Sequence, residues 1–230
     1  MTDVRAPYDA RVDGELDPNL SRWLWLVKWI LAIPHFVVLL FLWIGFVVVT
    51  VVAFFAILFT GRYPRPLFGY AVGVLRWNWR VSFYASSPLA TDRYPPFTLA
   101  DVPDYPARFD VVYPERLSRG LVLVKWWLLA LPHYLLVAAF TTGAWLAVRE
   151  SDRADQQFSG PGLLALLVLF GVIALLFTGR YPPGIFDLAM GLNRWALRVA
   201  AYAALLTDRY PPFRLDQGPH EPGEVPATRG

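Results

Sequence analysis

The sequence predicts an all-α integral membrane protein of two tandem repeats. Each repeat is expected to be a transmembrane helical hairpin plus an interfacial amphipathic helix, with short strands forming a small cytoplasmic cap. Three observations predict this. Hydrophobic residues make up 56% of the 230 residues and the mean hydropathy is +0.41, well above the apolar share of a soluble domain. From Trp23 to Thr60 only Lys28 and His35 are ionisable, a run far longer than the roughly 20 residues that cross a bilayer. The chain also repeats itself. The phrase from Leu20-Ser21-Arg22 through Lys28-Trp29 to Pro34-His35-Phe36 returns from Leu117-Ser118-Arg119 through Lys125-Trp126 to Pro132-His133-Tyr134 with one residue added, and Ile57 to Tyr84 matches Leu175 to Tyr202 without a gap. Such a repeat is the first constraint on the fold.

Taken in order, residues 1–20 carry five acids and two arginines before any apolar run, unlike a cleavable signal peptide, so the first span is expected to act as its own insertion signal. The first repeat, 1–101, is assigned a hairpin over about 21–60 and an interfacial helix over about 66–86. The second, 102–215, is assigned a hairpin over about 118–178 with a polar insert at 148–162, and an interfacial helix over about 183–206. Residues 216–230 are polar and rich in Pro and Gly, the composition of a disordered tail.

The hairpin follows from the insert. Its charged, Gly/Pro-containing backbone cannot sit in hydrocarbon, and it maps onto Trp43 to Val48 of the first copy, so a turn is expected there in both. Because Leu42-Trp43-Ile44-Gly45-Phe46 offers one glycine and no polar residue, a shallow or re-entrant hairpin and a single kinked helix are the alternatives in the first copy. With hairpins, all basic residues except Arg149 and Arg153 fall on one side, which the positive-inside rule makes cytoplasmic together with both termini.

Four copies of Thr-x-Arg-Tyr-Pro punctuate the chain, at 60–64, 91–95, 178–182 and 207–211. In two of them Gly61 and Gly179 suit the left-handed end of a helix, and the tyrosine and arginine suit a membrane–water boundary. After each of these comes an amphipathic stretch: Gly69, Gly73, Arg76 and Arg80 share one helical face, as do Asp187, Gly191, Arg194 and Arg198. Asp187 is expected to pair with Arg194. Arg11-Val12-Asp13, Phe97-Thr98-Leu99, Arg108-Phe109-Asp110-Val111-Val112-Tyr113 and Phe213-Arg214-Leu215 read as four short extended pieces that could pair as the cap.

The phrases Leu-Ser-Arg…Lys-Trp…Pro-His-[Phe/Tyr], Phe-Thr-Gly-Arg-Tyr-Pro and Thr-Asp-Arg-Tyr-Pro-Pro-Phe together resemble the uncharacterised bacterial membrane family catalogued as domain of unknown function 4389. The resemblance covers about 10–215 and implies a multi-spanning membrane protein with no assigned activity. It supplies no catalytic residues to carry over. The insert departs from the compact repeat.

Lys28 and Lys125, the only lysines, and His35 and His133 occupy equivalent intramembrane positions. They read either as snorkelling and kink-stabilising groups or as a Lys/His-lined polar path in a small transporter or channel. In the second copy the added residue should rotate His133 off the line of Ser118 and Lys125. Arg62, Arg76, Arg80, Arg180, Arg194 and Arg198 are candidates for anionic lipid headgroups. No motif for a nucleophile, phosphate loop or metal is present, and there is no cysteine; no enzyme activity, cofactor, metal or nucleic-acid partner is expected. The favoured reading is a non-enzymatic membrane scaffold or lipid-binding accessory protein of the inner membrane, partnered by lipids and by another membrane protein, with transport as the alternative.

Overall fold

A computed structural model describes residues 8–142 and 162–221. All of the insert except Gly162 lies outside the described residues, as does the end of the tail from 222. The elements run in chain order β1 (Ala10–Gly14), α1 (Trp25–Leu31), α2 (Ile33–Thr60), α3 (Arg65–Ala85), β2 (Ala107–Val111), α4 (Leu121–Val124), a π-helical turn (Lys125–Leu129), α5 (Leu131–Thr142), α6 (Leu163–Thr178) and α7 (Pro183–Ala203). They stack in three layers. The sheet and loops lie on α3 and α7, which lie in turn on the long apolar helices.

The hairpin expected in the first copy is not there. α2 continues for 28 residues straight through Trp43–Val48. Its inner stripe, His35, Leu39, Phe46, Ala53 and Ile57, is buried, and nothing in Leu42–Phe46 breaks a helix that has one such packed face. One uninterrupted helix occupies the stretch where a turn or kink was expected, and the break in the first copy comes earlier, where α1 ends at Leu31 and α2 begins at Ile33.

The second copy holds no hairpin either. His133, near the start of α5, meets Trp195 of α7, while Leu164, near the start of α6, packs with Ala189 and Leu192. The end of α6 then joins the start of α7 through Gly179 and Pro182. Both segments therefore run antiparallel to α7, hence parallel to each other. Their 12 and 16 residues together match the 28 of α2. Gly162 is seated against the Thr141 carbonyl. α5 and α6 thus read as one interrupted rod, not as the two arms of a hairpin.

The residue added in the second copy is absorbed by the π-helical turn. The Ala32 N–H bonds the Lys28 carbonyl four residues back, whereas the Ala130 N–H bonds the Lys125 carbonyl five back. One extra residue in a single wide turn is the usual form of a π-bulge, and it returns His133 to the same face as His35, against the rotation expected.

β1 pairs antiparallel with β2, one strand from each repeat, with Val12 opposite Phe109. These two are repeat equivalents, so a pseudo-twofold passes between them. Of the four extended pieces expected, only these two form strands among the described residues. Gly61 and Gly179 close their helices at φ 70° and 73°, as their motif requires, but Tyr63 and Tyr181 are buried in the core instead of at a water boundary.

Ile33–Thr60 and Leu121–Thr141 are long and apolar enough to cross a membrane, by length and composition, and Leu163–Thr178 is a shorter apolar helix. Their outward faces carry large exposed apolar side chains, among them Phe41, Val48, Phe59, Trp127, Leu135 and Phe177.

Candidate functional site

The charged residues near the apolar rods turn out to be fastened from within. Lys28, 1% exposed, donates to the Thr91 carbonyl at 2.7 Å and pairs with Asp92 at 2.7 Å. The other Asp92 oxygen accepts from the Ser21 N–H at 2.6 Å. Lys125 repeats this with the Thr207 carbonyl (3.0 Å) and Asp208 (2.7 Å), and the Ser118 N–H meets Asp208 at 2.5 Å. Sequence reasoning missed both aspartates. The available signal was that the only two lysines and these two acids all sit in repeated phrases.

The same loop clasps the histidine. His35 stacks on Phe97 with ring centroids 3.9 Å apart, and its Nδ1 accepts from the Trp77 indole at 3.1 Å. Tyr94 donates to the Leu31 carbonyl, at the junction of α1 and α2 (3.0 Å). His133 stacks on Phe213 at 4.1 Å and accepts from Trp195 at 3.2 Å, and Tyr210 donates to Leu129 at 3.1 Å. The Thr-Asp-Arg-Tyr-Pro-Pro-Phe phrase is therefore a strap, with Asp, Tyr and Phe as three fixed points along its own repeat: on α1 and the start of α2 in the first, on the π-helical turn and the start of α5 in the second. In both histidines Nε2 is buried and unpartnered.

The arginines of the amphipathic helices face the sheet. Arg76 donates to the carbonyls of Phe109 (2.8 Å) and Leu99 (3.1 Å) and to Asp110 (2.8 Å). Arg80 reaches the carbonyls of Thr98 (2.5 Å) and Ala100 (3.2 Å). Arg194 donates to Val12 (3.0 Å) and Gly218 (3.0 Å) and to the Asp216 carbonyl. Arg198 holds Asp216 at 2.6 Å and Glu221. Burial pushes the Glu221 carboxyl up, against the pull of Arg198 and Arg194, and lowers Arg194 in turn.

These placements correct three expectations. Arg76, Arg80, Arg194 and Arg198 are not on a headgroup-facing surface, because carbonyls of loops and strands need their donors. Arg194 pairs with Glu221 at 3.3 Å instead of with Asp187. Residues 216–221 of the expected disordered tail are packed, with Glu221 2% exposed.

Arg62 and Arg180 do stand at the surface, each beyond its left-handed glycine. Arg62, Arg116 and Arg119 line a cavity of about 500 Å³ with Thr60, Gly61 and Leu117. No carboxylate among the described residues pairs with these three arginines. Opposite, Arg22 lies against Gly179 beside Arg180, and Asn19 occupies the place equivalent to Arg116. The first cleft is thus the more basic. The cavity can hold a phosphate or carboxylate by guanidinium hydrogen bonds, and Phe59, next in sequence to Thr60 of its lining, is an apolar side chain 72% exposed. Sequence reasoning named Arg62 and Arg180 but missed Arg116 and Arg119, which only the meeting of the two repeats brings alongside.

Among the described residues no cluster of three or more His, Cys, Asp or Glu could hold a metal. The family described as "Domain of unknown function (DUF4389)" matches residues 22–98 and 161–214, more than half of the chain. No curated protein and no solved structure matches. The two matched segments fall one in each repeat, and the strap phrases lie inside both. This chain belongs to the DUF4389 family, with its domain duplicated.

Proposed function

We propose that this protein is a non-enzymatic membrane scaffold or lipid-binding accessory protein, seated in the bacterial inner membrane with its charged face toward the cytoplasm. The observation that carries this reading is the three-arginine cavity opening at the edge of a continuous apolar surface. An anionic lipid fits both: phosphate among Arg62, Arg116 and Arg119, acyl chains along α2. An apolar cavity of about 420 Å³ between Trp25, Ser87 and the α6 residues Leu164, Val168 and Val172 gives further room for a chain. The family resemblance is compatible with this and names no activity.

Transport through a Lys/His path is the second reading, and the geometry favours it less. Lys28 and Lys125 are each held by an aspartate and a carbonyl, and His35 and His133 are each clamped between aromatic rings.

Flotation of the purified protein with zwitterionic and with phosphatidylglycerol-containing vesicles separates the readings. A basic side chain near an anionic surface contributes about 1 kcal/mol. Reversing Arg62 and Arg119 to Glu together should therefore lower binding to anionic vesicles at least about tenfold, with little change for zwitterionic ones. Binding indifferent to both lipid charge and these substitutions would remove the lipid reading. A pH-dependent flux in proteoliposomes that His35→Ala abolishes would replace it with transport.

A further inference from the structure

We infer that the long helices do not cross the bilayer but lie flat within one leaflet, with the pseudo-twofold axis along the membrane normal; the inference rests on the membrane seat proposed above and specifies its geometry.

The two repeats exchange equivalent contacts. Arg76 of the first holds the Phe109 carbonyl of the second, and Arg194 of the second holds Val12 of the first. Reciprocal contacts between matched residues are the mark of a twofold. Between directly opposed strand residues, here Val12 and Phe109, that axis stands perpendicular to the sheet. It therefore runs down through the three layers, and α2 and the α5–α6 rod lie across it in opposite directions.

The helix ends show the same arrangement. The Leu117 N–H donates to the Gly61 carbonyl at 2.9 Å, so α2 finishes where the second repeat's first helix begins. Reciprocally, Arg22 at the start of the first repeat lies against Gly179 at the end of α6. Two orientations are compatible with this symmetry. If the axis lies along the membrane normal, Arg22 and Arg119 share one depth, Gly61 shares it too, and each rod begins and ends at the same level. If the axis lies in the membrane plane, each rod crosses. The sheet on that axis, with Arg11, Asp13 and the exposed Arg108 and Asp110, then falls at the bilayer midplane, where charge is least tolerated.

The sequence between α5 and α6 carries Arg149, Glu150, Asp152, Arg153 and Asp155, charges that hydrocarbon does not tolerate, and along a flat rod every point is about one helix radius from the headgroups. The flat arrangement also explains why α2 is apolar on every side: one face packs on α3 and the others meet acyl chains, with no face left for water. The occupant of this surface is a single lipid monolayer.

The chain has no cysteine, so single ones report cleanly. Asn19→Cys and Arg65→Cys flank the first rod; labelled with a membrane-impermeant maleimide in vesicles of known orientation, both are expected to react from the same side. Nitroxide labels at Leu40→Cys, Val48→Cys and Phe55→Cys, all outward-facing apolar positions, are expected to share one depth within a leaflet. Reaction of the two flanking cysteines from opposite sides, or a depth profile passing through the bilayer centre between 40 and 55, would overturn the flat arrangement while leaving the membrane seat intact. No immersion at any of the three would remove the membrane seat itself.

Discussion

Lys28 shows how one side chain changes meaning once its partner is known. Alone in an apolar run it is a candidate relay group; ion-paired to Asp92 and bonded to Thr91, it is the rivet of a strap. Removing one member of a buried, hydrogen-bonded pair leaves the other uncompensated. Lys28→Met should therefore cost about 3 kcal/mol, read as unfolding in detergent, and the double-mutant cycle with Asp92→Asn should show coupling. A lysine serving only a conduction path would give no such coupling. His35→Phe preserves the stack on Phe97 but strands the Trp77 N–H, at a cost of about 1–3 kcal/mol; His35→Ala should lose the stack as well and fall further. The equivalence of the lysines and histidines was legible in the sequence because both copies spell it out. Their partners were not, since a strap some 60 residues downstream declares nothing about which helix it crosses.

At the scale of elements, α3 and α7 were expected within two or three residues of their observed ends, because proline opens each and glycine closes the helix before it. The arginine stripe was equally legible, but its direction was not. A basic face on an amphipathic helix can meet headgroups or backbone carbonyls, and β2, the Thr98–Ala100 loop and the packed 216–221 segment supply carbonyls and carboxylates that sequence leaves unplaced. The hairpins failed for a different reason. The insert was taken to force a turn on the helix that carries it, when a water-soluble loop requires only an exit. If α5 and α6 are one interrupted rod, then excising residues 143–162 and joining Thr142 to Leu163 restores the unbroken register of α2. That deletion should fold and unfold within about 1 kcal/mol of the parent, the scale of a surface loop change. A hairpin would lose its turn and its packing. Thermal unfolding together with the far-ultraviolet helix signal, unchanged in the first case and collapsed in the second, decides between them.

At the scale of the molecule, the repeats are legible as units of sequence but do not behave as units of packing. One core runs through both, from Val12 and Phe68 to Phe109 and Met190, and neither half closes its own surface. The first lends β1 to α7 and takes β2 onto α3; each Thr-Gly-Arg turn rests on the segment leading into the other repeat's first helix. Cut apart, 1–101 would lose the carbonyl that Arg76 holds on β2, and 102–230 would lose the Val12 carbonyl and strand that Arg194 and Arg198 pack beneath. Buried guanidiniums without acceptors are costly, so a half cannot be a stable monomer. The twofold, however, supplies the remedy: a second copy of the same half offers the same surface in the required orientation, since Val12 and Phe109 face each other as equivalents. Each half expressed alone should therefore be recovered as a homodimer or not at all, and the two halves co-expressed should pair into a complex matching the intact chain in size and thermal stability. Size-exclusion chromatography with light scattering in detergent reads the outcome directly, and a folded monomeric half would show that the shared core is not what holds the two repeats together.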